Sequence, residues 1–371
     1  MTGGVASARI VVSASPGEIR VAALAGDRLV EYAIGRPGAP DLMGDLYRGR
    51  IVARVPAMAG AFVALGVAEG FLPDSAGAKG RGVGDAVLVR VVRAAQGGKG
   101  PRLGAVSAAE AAGLAASGPP ERLRAGPSVV ERMAAMFPDA TVAIDDPALL
   151  ATLRPVLGGR AVAVPAGFDD ALEAEIDALG TPEVALAGGG ALRIHPVPAL
   201  TAIDMDAGGA SAARGSKLHA QLGWNLGAIP ELARQIRLRN LGGAILVDWA
   251  GLPIGKRARL GPALAAALAE DPAGPRLVGF TGLGLAEILR PRVGAPLHEV
   301  LAGPHAAGLA GLRAAAREVA ARPGWVPRLV AAPAVVAALV ADAGALAAFA
   351  RIAGRAVVLV GDARVAGWEV G

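Results

Sequence analysis

Two apolar runs in the middle of the chain each end in aspartate. Ala199–Ile203 leads into Asp204, Met205 and Asp206, and Gly242–Val247 leads into Asp248. Both runs read as strands, and carboxylates at strand ends suit a hard cation. Magnesium takes oxygen ligands, keeps several waters and is commonly held by one or two carboxylates together with a substrate phosphate. Side chains two apart in a strand share a face, so Asp204 and Asp206 point the same way. Aspartate also caps strands on entering turns, and composition alone does not separate the two roles.

The residues between the carboxylates bear on that choice. Ile229, Leu232, Ala233 and Ile236 recur at helical spacing, with Pro230 at an early helical position and Gly242 past the end, which predicts a short helix over 229–240. Arg234, Arg237 and Arg239 lie along it and run directly into the strand that delivers Asp248. A solvated basic face would account for them without function, but here they place phosphate-binding charge beside a candidate metal site.

Composition fits a protein with a polyanionic partner without singling one out. A chain of 371 residues, 53% hydrophobic, suffices for two or three domains with several cores. The net charge is +5 and arginine far outnumbers lysine. Guanidinium matches phosphate bidentately, so a polyanionic partner fits, although a genome-wide bias toward Ala, Gly, Arg and Pro produces the same excess. With no cysteine, disulfides and thiolate metal sites are excluded. The start, Met1-Thr-Gly-Gly-Val-Ala-Ser, lacks the basic-then-apolar order of a secretory leader, so a cytoplasmic location is expected. Leu329 to Ala350 is nearly all apolar, but its bulk is alanine, interrupted by Pro333 and Gly344; a buried helix pair, and no membrane partner, is expected there.

Taken in order, Leu200–Asp204, Asn225-Leu226, Ala233–Gly243 and Ile245–Asp248 resemble the catalytic core of the ribonuclease E/G family of bacterial endoribonucleases. The resemblance implies that Asp204 and Asp248 bind magnesium. Where the family carries Asn two residues after the first ligand, this chain has Asp206, which adds negative charge beside the site and is counted here with the catalytic residues. A further family aspartate is matched by Gly251.

Short strands separated by glycine turns, at Leu46–Val52, Gly60–Gly66, Gly70–Pro73 and Gly84–Val92, have the spacing a small closed barrel needs. Their motifs resemble the S1 RNA-binding domain, an OB fold, at the place where the family inserts one. That resemblance makes Phe62, Phe71 and Lys99 the RNA-holding aromatics and lysine, with Arg102 close by. On the residues alone, both phenylalanines read as barrel core rather than base platform. Arg9 to Ile34 alternates like two short antiparallel strands. Val129–Phe137 reads as a helix and Ala140–Ile144 as a strand, and Ser128–Leu157 resembles the second half of the family's RNase H-like domain. The Pro/Gly/Ala stretch from 105 to 127 is too short for the family's 5′-end sensor, and its Arg-Thr dipeptide is missing from the chain.

Gly282–Arg292 resembles the segment that closes the family's DNase I-like domain. Arg290 and Arg292 are candidate backbone contacts, and Glu287 is either a helper acid or a solvated residue on an apolar helix. Ala302 and His305 stand where family tetramers carry the cysteines that share a zinc ion, so no zinc-linked tetramer is expected, and a monomer or dimer is. The expected architecture is α+β and multidomain. It comprises an RNase H-like domain (1–38 and, with a linker, 105–181), an inserted S1/OB barrel (39–104), a DNase I-like α/β catalytic domain (182–303) and a small α/β C-terminal domain (304–371). The expected function is magnesium-dependent cleavage of single-stranded RNA in processing or decay. The alternatives are a non-catalytic RNA-binding or regulatory protein on the same scaffold and, with less support from an RNA-type barrel, a DNA nuclease.

Overall fold

The computed structural model describes residues 8–208 and 217–371. The first seven residues, on which the leader expectation rested, lie outside that range. The chain is mixed α/β and divides into two compact units, each assembled from separated segments.

One unit comprises Met1–Leu42, Ala125–Leu172 and His298–Gly371. Residues 8–35 form three antiparallel strands, Ala8–Ser15, Glu18–Ala25 and Arg28–Gly35, rather than two. Both turn signals act, so Gly17 and Gly26 each reverse the chain at positive φ. Gly17 has a second reason to lack a side chain, because a Cβ there would lie 2.5 Å from Leu309 and 2.7 Å from Ala345. Thr141–Ile144 and Ala161–Ala163 extend this sheet in parallel. Helix Val129–Met136 starts at a capping box in which Ser128 and Glu131 satisfy each other's free amides. It packs Val130 and Met133 onto Ile10, Val12, Val21 and Ile144.

The C-terminal part carries a small sheet, with Arg328–Ala331 between Val358–Gly361 and Trp368–Val370, under helix Gly303–Ala321. The apolar run from Leu329 resolves into the end of a strand and two helices, Pro333–Ala341 and Ala343–Ala353, bent by 87° at Asp342. Leu339 and Phe349 close the core beside Leu309, Leu312 and Leu329. Among the described residues no single helix is long and apolar enough to cross a membrane.

The other unit comprises Met43–Arg124 and Glu173–Leu297. Its first segment is a closed, OB-like barrel of five strands: Leu46–Val55, Gly60–Ala64, Glu69–Pro73, Arg102–Ala105 and Ala86–Arg93. The long first strand pairs with both its second and last neighbours. The 105–127 stretch, read as linker, contains a strand, Glu121–Arg124, laid on that long strand.

The second segment forms a six-stranded sheet. At its centre Thr201–Asp206 and Gly243–Asp248 run parallel, joined through helix Lys217–Leu238. This helix begins twelve residues before the predicted start at Ile229. Leu218, Leu222, Asn225, Ile229, Leu232 and Ile236 continue one apolar stripe, and Pro230 lies inside the helix on its exposed side, where water can serve the carbonyl it leaves unbonded. Ala286–Arg290 is a strand, not a helix. Gly284, at positive φ, breaks the preceding turn, and Ala286, Ile288 and Arg290 alternate inward at period two.

Candidate functional site

The parallel pairing places Asp204 directly opposite Asp248. Adjacent strands lie about 4.8 Å apart, so two carboxylates leave the sheet side by side at the ends where both strands stop. Along Thr201–Asp206, Thr201, Ile203 and Met205 face the core while Ala202, Asp204 and Asp206 face outward, so the shared face of the two aspartates holds. The three carboxylates are roughly half exposed, at 52%, 42% and 53% for Asp204, Asp206 and Asp248.

Each carboxylate already has a cation. Arg193, opposite Asp204 on the antiparallel strand Ala191–Pro196, donates to Asp204 at 3.3 Å and to Asp206 at 2.9 Å. Asp206 also accepts from the Gly208 amide at 2.8 Å, and this bond, then Arg193, holds its carboxyl below the usual range. The pairing with Asp206 in turn raises the Arg193 pKa. Arg257 donates to Asp248 at 2.7 Å and is aimed by bonds to the Leu252 and Trp249 carbonyls.

Two carboxylates side by side with open solvent next to them are ligands of the kind a hard divalent cation takes, the rest of its shell being water. Among the described residues no three His, Asp or Glu side chains converge on one point.

The loop after Asp248 is clamped from the helix. Asn225, fully buried, donates to the Ala250 carbonyl at 3.0 Å and accepts from the Ala250 amide at 3.1 Å. In the sequence Asn225 was one letter of a motif; its role as a two-point anchor for the strand end beside it became visible only in the structure. Arg193 and Arg257 were missed. Neither adjoins the aspartates in sequence, and only strand register and the loop path bring them there.

The arginines named from sequence separate into two groups. Arg239 (7% exposed) bonds Gln235 and the Thr181 carbonyl, and Arg290 (4% exposed) bonds Asp271 and Asn240. Arg234 is held by Glu231 and Glu175. Arg239 and Arg290 are thus buried and bonded internally, and Arg234 is partly buried against two carboxylates. Arg237 donates to the Glu270 carbonyl near the surface. Arg102 and Arg292 are exposed, as is Lys99 in its turn with Gln96. Glu287 lies on the open sheet face opposite Leu246, away from a helix.

On the barrel, Phe62 and Phe71 are cross-strand partners with rings 5.7 Å apart, edge to face. Their neighbours Ala61, Val63 and Leu72 fill the interior, while both phenylalanines are only partly covered. The aromatic pair is therefore on the outer face and not in the core.

Residues 168–293 match the model of the Ribonuclease E/G family. Over that segment the chain is similar to the ribonuclease E/G family. Ribonuclease E of Synechocystis is 37% identical over 112 residues, covering 30% of this chain and 16% of that protein. Ribonuclease E of Escherichia coli is 35% identical over 123 residues, 33% of this chain and 11% of the relative. Ribonuclease G of Escherichia coli is 34% identical over 122 residues, 33% of this chain and 25% of the relative. The matched segment thus spans a quarter or less of each relative's length, and it contains Asp204, Asp206, Asp248, Asn225, Arg193 and Arg257.

Proposed function

We propose that this chain is an endoribonuclease that cuts single-stranded RNA with the help of magnesium, in RNA processing or decay. The register pairing of Asp204 with Asp248 carries the reading, because it sets two oxygen donors side by side at the open end of a rigid sheet. In this reading the 182–303 region is DNase I-like and the outer sheet of the first unit RNase H-like, with the barrel as the S1 domain.

Asp204 and Asp248 would hold the ion, and Asp206 would add negative charge beside it. Magnesium bound there would lower the pKa of an attacking water and offset charge developing on the phosphate. Arg193 and Arg257 neutralise the carboxylates until a cation takes their place, and then remain within reach of a phosphate. Phe62 and Phe71 offer edge and face to unstacked bases, a sequence-tolerant grip, with Lys99 and Arg102 beside them for the backbone. Asn225 keeps the strand end carrying Asp248 from drifting.

A second reading, a non-catalytic RNA-binding protein on this scaffold, is favoured by one observation: the two arginines already occupy the carboxylates. Incubating the protein with an A/U-rich single-stranded RNA, with and without magnesium, decides between them. Magnesium-dependent fragments that vanish in Asp204→Asn and Asp248→Asn, with melting temperatures unchanged, support the nuclease. Tight RNA binding without cleavage supports the second reading.

A further inference from the structure

Three arginines of the barrel-bearing unit stand together with no counterion among the described residues. Arg93 and Arg102 are partners across the antiparallel pairing of Ala86–Arg93 with Arg102–Ala105, at the point where a bulge shifts the register. Arg292 lies flat over the chain at Gly242 and Gly243, so near that a Cβ on Gly243 would meet its guanidinium at 2.5 Å. Arg93 senses both others. Burial first, then Arg102 and Arg292, lower its pKa from the ordinary arginine value.

Several other buried or partly buried guanidiniums of this unit meet a carboxylate: Arg48 with Glu121, Arg54 with Asp74, Arg234 with Glu231 and Arg290 with Asp271. Here, among the described residues, none of the three donates to a carboxylate or carbonyl, and the Arg93 Nε is buried with no acceptor at all. Like charges opposed across a strand pair and an unbonded buried donor both cost stability. A bound anion removes both penalties, and the planar fork of guanidinium matches the oxygens of phosphate.

We propose that Arg93, Arg102 and Arg292 form a phosphate-binding subsite for the RNA strand, apart from the aspartates. Two placements define it. Arg102 is the strand partner of Phe71, so the subsite adjoins the aromatic pair. Gly243 starts the strand whose far end is Asp248, five residues and therefore about 16 Å away, so the phosphate held here is not the one cut. The bulge at Arg93 turns its side chain out of the barrel's alternation, a common use of bulges beside functional sites.

The inference rests on the reading that the chain binds RNA, and the test separates the two. Full-length protein is titrated, in EDTA so that no cleavage intervenes, into 3′-labelled single-stranded RNA bearing either a 5′-monophosphate or a 5′-hydroxyl, over a range of salt. Arg93→Gln is expected to weaken binding about tenfold and to reduce the slope of log affinity against log salt by about one. Arg93→Lys, which keeps the charge but loses the fork, is expected to fall between. If the subsite takes a terminal phosphate, wild type prefers the monophosphate and Arg93→Gln abolishes the preference. If it takes an internal phosphate, both RNAs weaken equally. Arg102→Gln and Arg292→Gln, at exposed positions, give the same readout should Arg93→Gln fail to fold. Wild-type affinity and slope in all of these variants would overturn the subsite while leaving RNA binding in place. No binding by wild type would overturn both.

Discussion

Arg193 ties Asp204 and Asp206 together through one guanidinium. Its two bonds to Asp204 and Asp206 are half exposed, and pairs of that kind are weak and screened by solvent. Arg193→Gln should therefore raise the affinity of the protein for magnesium or manganese by up to roughly fivefold, read by calorimetry without RNA. Affinity unchanged, or lowered, would show that the guanidinium does not compete for the site. The sharing of a face by Asp204 and Asp206 was legible in the sequence because period two is intrinsic to a strand. The position of Arg193 was not, since a one-residue slip of Ala191–Pro196 would send it to the core. A second carboxylate responds to its burial. Burial pushes the Asp145 carboxyl up, against the pull of the Ala14 and Gly167 amides and the Ser13 hydroxyl. A raised carboxyl contributes its stability below the usual carboxylate value and loses it as pH rises through the raised one. The stability of wild type relative to Asp145→Asn should then fall as pH rises above about 4, the usual carboxylate value, measured by denaturant unfolding at each pH. A constant difference across that range would contradict the shift.

At the scale of elements, the helix Lys217–Leu238 is both cover and anchor. Asn225→Ala removes the clamp on Ala250 and leaves a buried amide and carbonyl unbonded, so it should cost roughly 2–4 kcal/mol in denaturant unfolding and slow any cleavage more than it weakens RNA binding. If stability is untouched, water replaces the clamp. The sequence misplaced the start of this helix because Pro230 reads as a first-turn residue, whereas its exposed side lets the helix run through it. It also misread Ala286–Arg290, where a short apolar run fits either period and only the glycine before it and the sheet beside it decide. The barrel was legible strand by strand because glycine turns recur between its alternating segments. Phe62→Ala should weaken single-strand binding by roughly 1–3 kcal/mol while leaving the melting temperature nearly unchanged, since the ring covers little of the interior. A large loss of stability with unchanged affinity would return Phe62 to the core.

At the scale of the whole molecule, the chain closes its first unit with residues far apart in sequence, and no local pattern announces this. Glu18, 3% exposed, sits in the turn region of the first hairpin and accepts from Arg36 at 2.8 Å and from Arg313, 295 residues later, at 2.6 Å. The sequence shows a glutamate early and an arginine late, each plausible on a solvated surface; the fold makes them a buried triad that ties the helix Gly303–Ala321 to the opening strands. A buried carboxylate that keeps one of two guanidiniums is not stranded, but it loses a charge-assisted bond. Arg313→Ala should accordingly destabilise this unit by roughly 1–3 kcal/mol. The loss should appear in the denaturant transition and in faster amide exchange along Glu18–Ala25, while the barrel strands exchange at their wild-type rates. If barrel and hairpin loosen together, the two units unfold as one. If neither changes, Arg36 alone satisfies Glu18, and the contact spanning the chain follows the fold without stabilising it.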